Sequence, residues 1–161
     1  ILMILLRSLI APIYLCATII FTYFSTIGIS LLVFKFIFNQ PFYTSSLPFF
    51  LFVFLNALGV DYNIYLMSRI REEAKTKSIS KATQIAVAKT GGVITSAGII
   101  LAGTFSALMV LPLTDLFQLG FAVAIGVIID TFITRTLLVP AIVKLLGKYN
   151  WWPSKIIPSN K

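Results

Sequence analysis

A chain of 161 residues in which 58% of side chains are apolar and only 11% are charged, with a mean hydropathy of +0.98, cannot cover a water-facing surface. Soluble domains carry about 25% charged residues. The net charge of +8 comes from thirteen basic residues against five acidic ones, and their distribution, given below, assigns them to a membrane surface and not to nucleic acid. A single cysteine, Cys16, and the absence of histidine leave no disulfide framework and no thiol or imidazole metal site, so neither metal nor cofactor is expected.

The chain opens "ILMILLRS", the tail of an apolar stretch with no n-region or cleavage site of a signal peptide. It reads as a fragment beginning inside a truncated span. Crossing a hydrocarbon core of about 30 Å takes about 20 apolar residues as helix, and four complete spans follow. The first covers about 9–34, with Pro12 near its start, where a missing N–H does no harm. "FNQPFYTSSLP" then makes a short polar turn. The second span covers about 48–68 and contains Asp61. The link 69–89, "RIREEAKTKSISKATQIAVAK", mixes charge with Ile, Ala and Val and predicts an amphipathic helix on the membrane surface, the alternative being a solvated loop. The third span covers about 91–111, stopped by "LPLTD", and the fourth about 116–143, with Pro140 near its end. "YNWWPSK" reads as an interfacial aromatic anchor. Residues 1–150 thus form a transmembrane domain and 151–161 a cytoplasmic tail.

Charge fixes the expected orientation. Arg7 precedes the first complete span; Arg69, Arg71, Lys75, Lys77, Lys81 and Lys89 fill the long link; Lys144, Lys148, Lys155 and Lys161 follow the last span. These alternate to one side and make eleven of the thirteen basic residues. The positive-inside rule places that side, with the link 69–89 and the C-terminus, in the cytoplasm of a multi-pass cell-membrane protein, facing anionic headgroups.

Three charged residues fall within spans: Asp61, Asp130 and Arg135. A charge at the centre of a membrane helix costs about 2.5–3.5 kcal/mol on insertion scales, so such residues face the bundle interior or a water-filled path. Two readings stand at this point, proton or ion handling and a structural ion pair of Asp61 or Asp130 with Arg135. Asp130 and Arg135 are five apart, about 140° around an α-helix, a spacing that does not favour pairing within their own helix. Asp61 has a phenol beside it at Tyr62 and Asn56, Gly59 and Asn63 nearby. A buried carboxyl of raised pKa can load a proton on one side and release it on the other; Tyr62 and Tyr65 can equally be aromatic packing. In the third span, Gly92–Ser96 and Gly103–Ala107 are small-xxx-small pairs that let helices approach, and the Thr95 and Ser96 hydroxyls are candidates to reach the Asp61 carboxyl. With no histidine and no G-x-S-x-G or metal spacing, a membrane hydrolase is excluded and no enzyme is expected.

"GVDYNIYLMSRIREE", "KTGGVITSAGIILAGTFSAL" and "LFQLGFAVAIGVIIDTFITRTLLVPA", in this order and over nearly the whole chain, resemble the MmpL-type (mycobacterial membrane protein large) branch of the resistance-nodulation-division superfamily. The resemblance implies an all-α polytopic membrane bundle, the end of one half of a twelve-helix transporter from the close of its second helix through its sixth. "LLRSLIAPIYL" fits the cytoplasmic link before the third helix, and the tail "WWPSKIIPSNK" favours the C-terminal half. It further implies that Asp61 and Tyr62 form a proton relay facing an equivalent pair on the other half, with proton influx driving export of lipids or amphipathic compounds. The expected partners are the bilayer, the other half, the proton and such a substrate, self-association being left open. Asp130 and Arg135 match the family pattern without an implied relay role. The alternative function is a non-transporting structural or partner-binding membrane module of the same topology, such as a sterol-sensing-like or protein-export subunit.

Overall fold

The computed structural model describes residues 8–39 and 46–153. Helix α1 runs Ile10–Phe36, α2 Leu47–Glu73 and α3 Ile79–Ser106, the last closing in a tight turn over Ala107–Val110. The final span begins as α4, Thr114–Ile129, widens into a π-helical segment over Asp130–Leu138, and returns to α-helix as α5, Val139–Leu146. The chain is thus an all-α bundle with four helices long and apolar enough to cross a membrane. Even the shortest, at 27 residues, is about 40 Å long at 1.5 Å per residue, so its ends stand clear of the hydrocarbon.

The last span holds the bundle together: 56% of its most apolar window is buried, against 17–33% for the others, and α4 packs on α1, α2 and α3. Facing lipid changes which residues go inside. On α1, Thr18, Thr22, Thr26 and Ser30 are buried while Ile13, Ile20, Phe21, Phe24 and Leu32 point outward. Small side chains let backbones approach, and lipid solvates the large ones. The Thr22 and Thr26 hydroxyls donate to the carbonyls of Thr18 (3.0 Å) and Thr22 (2.7 Å) one turn back, and the Thr22 and Thr134 hydroxyls share a hydrogen bond of 2.8 Å across the α1–π interface. Gly126 sits so close to α1 and α2 that a Cβ there would meet Leu55 at 2.8 Å and Thr26 at 3.1 Å.

One end of the bundle is closed by the chain's own flanks. The Ser8 hydroxyl donates to the Asn150 carbonyl at 2.7 Å, Leu9 N–H to Trp152 O at 2.9 Å, and the Arg71 guanidinium lies 5.8 Å from the Trp151 ring centre. Ser8, the 74–78 turn and Gly147–Trp151 therefore share that end, the sharing on which the charge argument depends.

Three expectations need correcting. The link 69–89 holds no separate surface helix: α2 continues to Glu73 and α3 starts at Ile79, because Ala82, Thr83 and Ala86 have a packed face to bury and the helix gains more by joining the span than by lying flat. The Trp pair is no simple interfacial anchor, since Trp151 is fully buried in the core with Leu15, Met67 and Val143 while Trp152 alone is exposed. The pairs Gly92–Ser96 and Gly103–Ala107 face outward, and among the described residues no other element lies within 4 Å of a Cβ built on Gly92 or Gly103. The close approach on α3 is made by Gly98, against the Thr131 side chain. The polar turn falls mainly on 40–45 and the tail on 154–161, outside the described residues.

Candidate functional site: an ion pair and an unpaired acid

Asp130 and Arg135 do pair. The π-helical segment places residue i+5, where an α-helix places i+4, over residue i. An Arg135 Nη2 N–H donates to Asp130 Oδ2 and both residues are buried. The same register appears in the Thr136 hydroxyl donating to Thr131 O at 2.9 Å and in Val139 N–H donating to Thr134 O. Sequence spacing at 3.6 residues per turn hides this pair. Pro140 supplies a local cause: it has no N–H for the Thr136 carbonyl, so the regular ladder fails just there.

Arg135 reaches further, into α2. Its guanidinium carbon lies 4.4 Å from the centre of the Tyr62 ring, inside cation–π range, and Nη2 also donates to Leu58 O at 3.3 Å. Asp130, Arg135 and Tyr62 are thus one contiguous group joining the π segment to α2. Gly59 sits one turn before Asn63 on α2, with a Cβ position 3.1 Å from Ile19 of α1, and Asn63 is buried.

Asp61 stands apart from that group. Successive residues on an α-helix point about 100° apart, so while Tyr62 turns inward against Arg135, Asp61 is exposed on the outer face of α2. It has no hydrogen bond or ion pair among the described residues, and the one membrane-depth cation is already held by Asp130. Neither Thr95 nor Ser96 bonds to it; the Ser96 hydroxyl donates to Val93 O at 3.1 Å within its own turn. The geometry brings Tyr62, Asp130 and Arg135 together, leaves Asp61 one helix position away with an open face, and keeps Thr95 and Ser96 out of the cluster. Sequence reading missed the buried hydroxyl stripe of α1, whose signal is a Thr or Ser at every fourth position from 18 to 30.

Such a bundle, with a buried ion pair against a tyrosine and a lone acid at membrane depth, is that of a polytopic membrane protein with a polar centre. The chain belongs to the MMPL family, whose model matches residues 1–159. It is 46% identical to the apo-petrobactin exporter of Bacillus anthracis over 96% of this chain and 21% of that protein. It is 42% identical to the sulfolipid-1 exporter MmpL8 of Mycobacterium tuberculosis over 99% of this chain and 14% of that protein, and 49% identical to a membrane protein of Streptomyces coelicolor over 93% and 21%. The chain therefore spans about a fifth or less of the length of these relatives.

Proposed function

We propose that this chain is the energy-coupling membrane part of a proton-driven exporter of lipids or amphipathic compounds, with Asp61 the proton-binding group and Tyr62 its relay partner. Family membership and relatives named as exporters support transport. The observation that carries the coupling role is the unpaired state of Asp61. A carboxylate at that depth, about 12 Å of helix rise from the basic end of its span at Arg69, is costly unless it is neutralised by a proton or met by another element. Arg135 is already occupied by Asp130, so protonation is the remaining route among the described residues. Taking up and releasing that proton couples a potential worth about 2.3 kcal/mol per charge per 100 mV to a change in helix packing. The exposed face of Asp61 is where an equivalent acid–phenol pair of the other half would stand. By the positive-inside rule, the basic residues at the closed end support a cytoplasmic position for that end in a cell-membrane protein.

Asp61→Asn keeps the shape and removes the titration. In the full-length protein it is expected to insert at wild-type level and lose export. A normally expressed Asp61→Asn protein that exports at wild-type rate with its proton dependence intact would make Asp61 a structural contact and move the coupling proton to another group, whereas a full-length wild-type protein that inserts but exports nothing would favour the non-transporting module.

A further inference from the structure

Below Asp61, on the same face of α2, lie Tyr65, Ser68 and Glu72. The spacing i, i+4, i+7, i+11 keeps four residues within one narrow stripe of an α-helix, and all four are exposed in the chain. Tyr65, Ser68, Arg69 and Glu72 of α2 and Lys89 and Thr90 of α3 line a cleft of about 320 Å³. Every lining residue has a polar side-chain atom. A cleft of this size and polarity has room for several waters.

We propose that this cleft is the route by which the proton leaves Asp61 for the cytoplasm. The inference rests on Asp61 being the proton-binding group and on the sidedness given above. The carboxyl gives its proton to water between it and the cleft, whose nearest lining residue, Tyr65, lies one turn below on the same stripe. A chain of waters then carries the proton down past Tyr65, one turn below, and Ser68, two turns below, whose hydroxyl oxygen anchors a water without relaying the proton, and Glu72 at the mouth accepts it or passes it to bulk water. The Ser68 hydroxyl donates to Ile64 O at 2.5 Å, which leaves its oxygen lone pairs free to accept from water.

The charged groups around the cleft fit a conduit better than an anion site. Arg69 Nη1 bonds Glu72 at 2.5 Å, Lys89 Nζ bonds Glu73 at 2.8 Å, Lys77 Nζ bonds Glu73 at 2.5 Å, and Arg69 Nη2 lies 3.4 Å from Glu73. With Arg69 and Lys89 both on glutamates, neither cation is left over for a phosphate. The paired charges hold the walls of the cleft apart and wet while adding no single-sign field across it.

The test places single cysteines at Tyr65, Ser68 and Leu137 in the full-length protein with Cys16→Ser, in inside-out vesicles. A cationic, membrane-impermeant methanethiosulfonate reagent is added at the cytoplasmic face. Ser68→Cys and Tyr65→Cys are expected to react, the first faster. Leu137→Cys, an outward apolar position (63% exposed) about nine residues from the end of the last span, is expected not to. Reaction at Ser68→Cys is expected to cut that variant's own export at least tenfold. Failure of both positions to react, or full reaction with unchanged export, overturns the route. If that happens while Asp61→Asn still abolishes export, the relay stands and only the exit is wrong. If Asp61→Asn exports normally, the relay falls and the exit falls with it. Ser68→Cys is nearly isosteric, so the test survives a misfolded Tyr65→Cys.

Discussion

Arg135 makes three contacts at once: the Asp130 carboxylate, the Leu58 carbonyl and the face of Tyr62. A charge buried this deeply is tolerable only while its partner stays. Removing one member of a buried pair typically costs about 3–5 kcal/mol, whereas replacing both with apolar groups of similar volume is often close to neutral. Arg135→Met is therefore expected to lower the thermal stability of the purified protein sharply, and Asp130→Leu with Arg135→Met to recover most of the loss. A single variant as stable as wild type would mean that the pair does not hold the π segment in place. Tyr62 separates packing from relay. Tyr62→Phe keeps the ring over Arg135 and should fold normally, so slowed export in a stable Phe variant assigns the hydroxyl to the relay, and an unchanged rate removes it. Asp61 was legible in the sequence because an acid amid Leu, Phe and Val is conspicuous in any register. The Asp130–Arg135 pair was not, since spacing arguments presuppose 3.6 residues per turn and the local helix departs from it.

Among the helices, α3 has two distinct faces. Gly98 meets Thr131 of the π segment so closely that an added Cβ would overlap the threonine side chain, while a Cβ on Gly103 would meet no other element within 4 Å among the described residues. Overpacking a tight contact costs typically about 1–3 kcal/mol. Gly98→Leu is expected to lose that much stability in thermal unfolding, and Gly103→Leu to leave the chain's own packing unchanged. Equal losses at both positions would contradict the assignment of faces. The glycine-rich composition of the span was readable in sequence, but not which glycines are used, because small residues serve inner and outer faces alike when lipid is the solvent. For the same reason Thr18, Thr22, Thr26 and Ser30, which are the inside of α1, went unread, and Trp151 misled as an apparent interfacial anchor because its burial depends on tertiary packing with Leu15, Met67 and Val143.

For the whole molecule, the four spans followed from hydropathy and length alone, whereas the five-residue turn at 74–78 in place of a surface helix followed from packing that no local pattern records. The closed end gathers Ser8, Arg71, Lys77 and Trp151, and the other end carries Phe38, Leu113 and Phe117. Cysteines at Lys77 and Leu113, in a Cys16→Ser background, are expected to react with an impermeant thiol reagent from opposite sides, position 77 only after the cytoplasmic face is opened. Labelling of position 77 in intact cells would invert the orientation. The central claim is that Asp61 carries the coupling proton, and proton flux reads it most directly. Full-length protein reconstituted in liposomes with an imposed proton gradient and an internal pH dye is expected to show substrate-dependent proton movement in the wild type. Asp61→Asn, reconstituted to the same level, is expected to show none above protein-free liposomes. Substrate-dependent proton flux through Asp61→Asn at the wild-type rate would contradict the account.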